Sequence, residues 1–439
     1  MERTLIKDLR DKIGQTVMIQ GWLQTLRDQK KIQFLILRDS TGLAQVAHWK
    51  PNDEALAELI AKTGAESALR ITGKVIDNPV VKLNGLEIQL ESLEVQNSAD
   101  IPLPFDPFAE TLPILDFRLD WRYLDLRRPV NALLFKVETT VEMAMREYWV
   151  KNNFVEIHSP KLTGSPSESG AELFSLDYFE RKAYLAQSPQ FYKQMAMAAG
   201  FERIFEIGPV FRADPSFTSR HMTEFTGVDV EISWIDSHED VMRSEENWLQ
   251  YIYSRVKELH GEEIKELFGV DLVVPTVPFP RLTMKETVEI LKSRGYSLPA
   301  DKKGDIDPGG EREIAAYVKE KYDHDFVFIT DWPIGVRPFY HMRHSDDPTL
   351  TRSFDLIACG LEITTGAQRE HRVEVLKKQA TEKGLSYEPI QYYLDFFRYG
   401  CPPHGGFGLG LSRLMMVMLG VSNIRESVYI FRGPTRITP

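Results

Sequence analysis

Four stretches of this chain combine residue types and spacings that could carry chemistry. The first runs from Phe205 to Glu231 (FEIGPVFRADPSFTSRHMTEFTGVDVE). It is an apolar run ending at Arg212, a polar loop with Arg220 and His221, then a β-rich run carrying Asp229 and Glu231. Fixed cations beside fixed carboxylates are costly to bury without partners or ligands. An anionic substrate held rigidly, such as a phosphate, would offset that cost. A salt-bridged hairpin accounts for the same residues, and this stretch alone leaves both readings open.

The second stretch is GSPSES, Gly164–Ser169, followed by Gln187-Ser188-Pro189-Gln190 and Lys193. A Ser/Gly loop carrying Glu168 could close over a small ligand with its carboxylate toward an ammonium group. Lys193 falls at a helix start after Pro189 and is by itself no more than a surface lysine. The third, SFDLIACGLEITTGAQREH, runs from Ser353 to His371. If Cys359-Gly360 is a two-residue turn, Ile357 pairs with Glu362 and Asp355 lies two residues further along the same face. The two carboxylates are then diagonal neighbours roughly 5–8 Å apart. They repel unless a cation lies between them, and Mg²⁺ with nucleotide phosphates suits oxygen ligands of this kind. The alternative is that one of them is solvated at a sheet edge. Arg369 beyond them is a candidate bidentate clamp for a carboxylate. The fourth, HGGFGLGLSRLMM, His404–Met416, is glycine-rich chain entering an apolar helix, with Arg413 one turn in. Such chain lets backbone approach a ligand, and a helix N-terminus favours anions. It lacks the GK[ST] of a P-loop and the acidic partner of a Rossmann fingerprint.

Elements must hold these groups in place. Thr16–Arg27, Lys31–Asp39 and Ala44–Lys50 are β-rich alternating runs, Glu54–Thr63 has helical apolar spacing, and Ser67–Asp77 and Leu86–Gln96 alternate again. Three strands, a helix and two strands is the order of an OB-fold, although another small barrel would share it. Pro102, Pro104, Pro107 and Pro113 mark a linker. In the FRLDWRYLDLRRP that follows, Arg118, Arg122, Arg127 and Arg128 could meet RNA backbone or form a salt-bridged hinge. Val137, Val141, Met145 and Trp149 make one apolar helical face leading into KNNFVEIHSP. Further helices are expected at Val241–Leu259 and Arg312–Lys321, and Ser237–Asp325 reads as scaffold.

Hydrophobic content of 43% with 27% charged residues is that of a globular protein large enough for two domains. No run nears the ~18 apolar residues of a membrane helix, and MERTLIKDLR lacks the apolar core of a secretory signal. With only Cys359 and Cys401, neither a disulfide framework nor a cysteine-built metal site is expected, which fits a reducing cytosol. A formal net charge of -11 argues against a generic nucleic-acid coat but leaves room for one RNA on a local basic surface.

The chain resembles the class II aspartyl-tRNA synthetases in their archaeal/eukaryotic form, from end to end. FVEIHSP is similar to motif 1, whose proline (here Pro160) lies at that family's dimer interface. FRADPSFTSRHMTEFTGVDVE is similar to motif 2 and GLGLSRL to motif 3, while YLAQSPQFYKQM, RPFY and TGAQREH resemble the aspartyl enzymes in particular. The segment from Glu231 to Asp355 leaves no room for the large insertion of the bacterial form. The resemblance implies an α+β protein: an OB-fold anticodon-binding domain at 1–101, a hinge at 102–130, and a catalytic domain at 131–439 whose antiparallel sheet is flanked by helices. It implies ATP-dependent activation of L-aspartate and transfer to the 3′ end of tRNA-Asp by a cytoplasmic homodimer.

Residue by residue, the resemblance places Arg212 at the α-phosphate of ATP, Phe225 on adenine and Arg413 at the γ-phosphate. Asp214, Arg220, His221, Glu362 and Gly410 complete the nucleotide site. Asp355 and Glu362 would carry Mg²⁺. Glu168, Gln187 and Asp229 would surround the aspartate ammonium, and Lys193 and Arg369, with Thr365 nearby, would bind its side chain. Lys193 and Arg369 would reject asparagine because an amide leaves two buried cations unpaired. In the barrel, Phe34 would stack on an anticodon base, with Gln24, Arg27, Gln45 and Lys82 around it. Dual charging of tRNA-Asp and tRNA-Asn, an asparaginyl enzyme and a non-catalytic tRNA-binding paralogue are the alternatives. Gln24 and Lys82, where dual-charging members often carry His and a nearby Pro, lean towards strict tRNA-Asp use. Departures from the family pattern are Asp214 for Glu in motif 2, Ser412 for an acid in motif 3, Ser169 for a glycine in the loop and Asn153 for a glycine in motif 1.

Overall fold

In the computed structural model, which describes residues 1–164, 173–216, 218–299 and 304–439, the chain forms two units, Met1–Pro113 and Ile114–Pro439. In the first, β1 (Thr16–Asp28), β2 (Ile32–Asp39), β3 (Gly42–Trp49), α1 (Glu54–Lys62), β4 (Ala68–Asp77) and β5 (Leu86–Asn97) follow the alternation read above. Leu35 and Leu37, Ile71 and Val75 are fully buried at alternate positions, so one face of each strand fills the interior. The strands close in the order β1-β2-β3-β5-β4, the OB-fold barrel. The Asp53 side chain caps α1 by accepting from the Leu56 amide.

The second unit opens with two short helices, α2 (Leu115–Asp120) and α3 (Arg122–Asp125), and the long α4 (Pro129–Lys151). Next come β6 (Val155–Glu156), β7 (Leu162–Thr163), β8 (Ser175–Tyr178), β9 (Arg181–Leu185), α5 (Gln190–Ala198), β10 (Arg203–Phe211), β11 (Glu224–Ser233) and α6 (His238–Phe268). The chain continues through β12 (Arg281–Thr283), α7 (Met284–Ser293), α8 (Pro308–Tyr322), β13 (Phe326–Thr330), β14 (Ser353–Ala358) and β15 (Leu361–Arg369). It ends with α9 (Val373–Glu382), α10 (Gln391–Phe396), β16 (His404–Gly410) and α11 (Leu411–Leu419). The main sheet has the order β12-β13-β14-β15-β16-β11-β10-β6. Its central strands are antiparallel as expected, but β12 joins β13 and β6 joins β10 in parallel, so the whole sheet is mixed.

The apolar stripe on α4 does what its spacing implies. Val137, Val141, Met145 and Trp149 are at most 1% exposed, and Trp149 stacks on Trp248 of α6 at 4.6 Å and on Phe205 of β10 at 4.5 Å. A capping box at Ser237 and Asp240 starts α6, and a left-handed Gly269 stops it. Three arginines of the arginine-rich stretch, Arg118, Arg122 and Arg128, pair within this unit around Asp125. Arg118 and Arg122 share buried Asp125, and Arg122 also donates to the carbonyls of Glu426, Val428 and Tyr429. Among the described residues, no helix is long and apolar enough to cross a membrane.

One buried group on α6 gives the fold a measurable pH dependence. Glu245 is fully buried beside Thr364, and burial pushes its carboxyl up to about 8. Between its unfolded value and about 8, the folded chain keeps a proton that the unfolded chain has lost, so stability falls as pH rises. His238 and His404, held down to about 4 by burial, act in the opposite sense but only below their unfolded value of 6.5. Glu138, pushed up to about 7, is already half titrated at pH 7 and adds only a smaller drop of the same sign. Unfolding free energy is therefore expected to drop by about 1 kcal/mol from pH 7 to pH 8, and Glu245→Gln to remove most of that drop. Parallel curves for the two proteins in chemical denaturation would contradict it.

Candidate active site

The four chemistry-bearing stretches meet at one cavity of about 460 Å³. Motif-bearing β10 and β11 pair antiparallel, with Glu206 opposite Asp229 and Val210 opposite Phe225. Just past β10, the Arg212 amide bonds to Thr223 O at 2.9 Å and its guanidinium lies 5.6 Å from the Phe225 ring centre. Asp214 does not reach outward: its Oδ1 accepts from the Ser216 amide at 2.8 Å and its Oδ2 stands 3.9 Å from His221. Burial first, then Arg413, holds His221 below its ordinary pKa. Arg220 forms an ion pair with Glu311. Arg413, in the first turn of α11, donates to Glu362 O at 2.8 Å and lies 3.8 Å from its carboxylate. Arg212, Asp214, Arg220, His221, Phe225, Glu362, Gly410 and Arg413 all line this part of the cavity.

The floor is formed by side chains from α5, β11 and β15. Asp229 and Glu231 alternate on one face of β11. Lys193 Nζ lies 3.0 Å from Asp229 Oδ1 and 3.3 Å from Glu231 Oε2, and donates to Phe407 O at 3.0 Å. Arg369 Nε donates to Glu231 Oε1 at 3.0 Å and its Nη2 to Gly406 O at 3.0 Å. Burial opposes charge on Glu231, but Arg369 and then Lys193 outweigh it and keep the carboxyl below its usual range. Gln187, Lys193, Asp229, Thr365 and Arg369 line the cavity together. Both cations therefore have protein carboxylates of their own, and an amide substrate would not leave them unpaired. Glu168 and Ser169 lie outside the described residues.

Two readings of the strands are refined. Cys359 and Gly360 form the two-residue turn, both with positive φ (49° and 80°). Ile357 pairs with Glu362, but Ile363 is an extra residue, so Asp355 stands opposite Thr365. The bulge turns Thr365 to the side of Glu362, and the Thr365 hydroxyl donates to Glu362 Oε1 at 3.1 Å. Asp355 does not line the cavity; its Oδ2 accepts from Arg337 Nη2 at 2.7 Å. Of the glycines of β16, Gly405 and Gly406 are demanded by packing, whereas Gly408 and Gly410 line the cavity. A Cβ on Gly406 would stand 1.9 Å from Val230 O and 2.3 Å from Glu231 Oε2, whereas one on Gly410 would meet nothing closer than 3.7 Å.

Sequence reasoning passed over Glu311, Arg337 and His341. Glu311 sits in the stretch taken as scaffold, yet it pairs with Arg220 and accepts from the Glu362 amide at 3.2 Å. No local pattern marks it. Arg337 opens the RPFY run and His341 follows it, so the run held the signal without the roles. In the barrel, Arg27 stands opposite Phe34 with its guanidinium 5.4 Å from the ring, and donates to Gln45 at 2.9 Å. Gln45 in turn donates to Glu87 at 2.7 Å. Gln24 belongs to a different group, accepting from Arg38, which pairs with Glu66. Lys82 is exposed in the β4–β5 connection.

One unit thus brings arginines, a lysine and carboxylates from distant segments to a single cavity, and the other is a closed OB-fold barrel. Family models agree: residues 115–432 match class II tRNA synthetases (D, K and N), and residues 17–96 match an OB-fold nucleic acid binding domain. An aspartate–tRNA(Asp/Asn) ligase of Aeropyrum pernix is 42% identical over 99% of this chain and 98% of its own length. An aspartate–tRNA(Asp) ligase of Pyrococcus abyssi is 42% identical over 97% of each. Among solved structures, an aspartyl-tRNA synthetase from Entamoeba histolytica has a TM-score of 0.88 at 32% identity, covering 100% of this chain and 93% of that one. An asparaginyl-tRNA synthetase from Pyrococcus horikoshii, complexed with asparaginyl-adenylate, has a TM-score of 0.90 at 32% identity and covers 100% of both. The chain belongs to the class II aminoacyl-tRNA synthetases of the aspartate, lysine and asparagine group, and is a ligase.

Proposed function

We propose that this synthetase joins L-aspartate to the 3′ end of tRNA-Asp in two steps at the cavity. An oxygen of the aspartate α-carboxylate attacks the α-phosphorus of ATP, the bond to pyrophosphate breaks, and aspartyl-adenylate forms. The 3′-terminal ribose hydroxyl of the tRNA then attacks the acyl carbon and AMP leaves. Neither step calls for a strong base; the first needs alignment and neutralisation of phosphate charge. Arg212 would hold the α-phosphate, Arg413 the γ-phosphate and Phe225 the adenine, with Arg220 kept in place by Glu311.

The observation that carries the reading is the floor, where Lys193 and Arg369 meet Asp229 and Glu231. Asp229, with Gln187 beside it, would take the substrate ammonium. Lys193 and Arg369 can only donate, so a carboxylate offers an acceptor to each, while an asparagine amide turns N–H against N–H. Discrimination on this account comes from donor polarity. It does not come from cations left unpaired.

Divalent metal chemistry fits the residues present. Asp355 Oδ1 is buried without a hydrogen-bond partner among the described residues. Burial pushes the Asp355 carboxyl up to about 6 despite Arg337, with Glu362 adding repulsion. Mg²⁺ commonly binds through one or two carboxylates together with substrate phosphates, and here Asp355 and Glu362 would hold it. When bound, it would supply neutralisation of phosphate charge. In the barrel, Phe34 with Arg27 and Gln45 would meet the anticodon. The exposed Met143, Val150 and Val155 would lie at a homodimer interface.

The test is ATP–pyrophosphate exchange with each amino acid in turn. Aspartate is expected to drive it and asparagine is not; asparagine-dependent exchange would reverse the assignment. The Aeropyrum pernix relative favours dual charging as the second reading. Gln24 and Lys82 point instead to tRNA-Asp alone. Charging of separate tRNA-Asp and tRNA-Asn transcripts decides between them, equal charging of both being the result against strict use.

A further inference from the structure

We infer that His341 is a positioning residue for the amino-acid pocket, holding the guanidinium of Arg369 through a neutral imidazole that accepts one of its N–H groups. The inference deepens the reading of the cavity floor given above and depends on it. Arg369 Nη1 and His341 Nε2 lie 3.0 Å apart, and His341 is 2% exposed. An arginine only donates, so Nε2 must accept and the imidazole proton must be on Nδ1. Burial, then Arg369, Arg337 and Lys193, keep His341 well below its ordinary pKa, in keeping with a neutral ring.

The arrangement is rigid on both sides. Three acceptors from three segments take the Arg369 fork: Glu231 at Nε, His341 at Nη1 and the Gly406 carbonyl at Nη2. His341 is itself held by its own backbone. Its amide donates to Pro338 O at 3.3 Å, its carbonyl accepts from Gln379 Nε2 at 3.1 Å, and it bridges to Arg369 in antiparallel fashion. A planar fork held at three points presents its remaining N–H edge to a ligand in one orientation only.

The neutrality of the acceptor matters as much as its position. Lys193 and Arg369 are already balanced by Asp229 and Glu231. A third carboxylate in place of His341 would make the floor net negative before aspartate arrives, and would repel the substrate side chain. An apolar residue would leave a buried Arg369 N–H unmade or let the fork turn. Imidazole avoids both.

The experiment compares His341→Leu, His341→Gln and His341→Glu with the wild type in aspartate-dependent exchange. His341→Leu is expected to raise KM for aspartate roughly 10- to 100-fold, the scale of one unmade bond to a buried charged donor, with kcat and KM for ATP unchanged and a lowered melting temperature from the same unmade bond. Gln supplies an uncharged acceptor and is expected to restore KM to within about 3-fold, whereas Glu, which adds charge, remains impaired. An unchanged KM in His341→Leu, or a Gln variant as impaired as Leu, overturns the inference. Independently of any variant's folding, ¹⁵N NMR of histidine-labelled wild-type protein at pH 7 should show a neutral ring protonated at Nδ1. An Nε2–H tautomer or an imidazolium would refute it. Wild-type protein without aspartate-dependent exchange would instead remove the reading of the floor, so the two failures are distinguishable.

Discussion

Arg212→Ala is expected to lower aspartate-dependent ATP–pyrophosphate exchange by about 10²- to 10³-fold, the usual cost of removing one donor aimed at charge developing in a transition state. The loss should be catalytic with little effect on folding. Arg212 is exposed, forms no ion pair with a described residue and rests its guanidinium 5.6 Å from the Phe225 ring. Its backbone bond to Thr223 O survives the substitution. Melting temperature should therefore stay within the small range of surface changes. Arg212→Lys, which keeps the charge and loses the planar fork, should fall between the two. Exchange by Arg212→Ala at the wild-type rate would move the α-phosphate contact elsewhere in the cavity.

The second large effect belongs to Gly406→Ala, and here stability should go together with activity. The added Cβ would stand 1.9 Å from a backbone oxygen, Val230 O, and 2.3 Å from Glu231 Oε2. Neither can yield easily. Val230 lies on β11 directly across the sheet, and Glu231 is pinned between Lys193 and Arg369. Strand β16 would have to lift off β11, taking the Gly406 carbonyl away from Arg369. Chemical denaturation is expected to show a loss of about 3 kcal/mol, the upper end for overpacking, and KM for aspartate should rise sharply. Gly410→Ala is the control, since its Cβ would meet nothing within 3.7 Å and its φ is an ordinary -83°. Equal stability of Gly406→Ala and wild type would contradict the packing of β16 described above.

Much of this protein can be read along the chain. The barrel strands and α4 were legible because burial of one face imposes a period of two or of about 3.6 on neighbouring residues. The Cys359-Gly360 turn was legible because two left-handed positions in a row suit a two-residue hairpin. Even so, one extra residue, Ile363, altered the register between Asp355 and its partner, and nothing in the local pattern distinguishes a bulge from regular pairing there.

The site divides along the same line. Residue types and spacing marked Arg212, Asp355, Glu362, Arg369 and Arg413 as candidates, Lys193 by itself read as no more than a surface lysine, and the motifs around them named the family. The charge balance among those groups could not be read the same way. Arg220 meets Glu311 from 91 residues away, Lys193 meets Asp229 from 36, and Arg369 meets His341 from 28. Which carboxylate offsets which cation depends on atoms a few ångströms apart in a medium of low polarity, a property of the assembled sheet. Sequence by itself determined the elements and the inventory of charged groups, because both follow from local periodicity and residue chemistry. Only the tertiary structure decided that Glu231 lies between the two cations, that Gly406 is there to let it, and that a neutral histidine completes the fork.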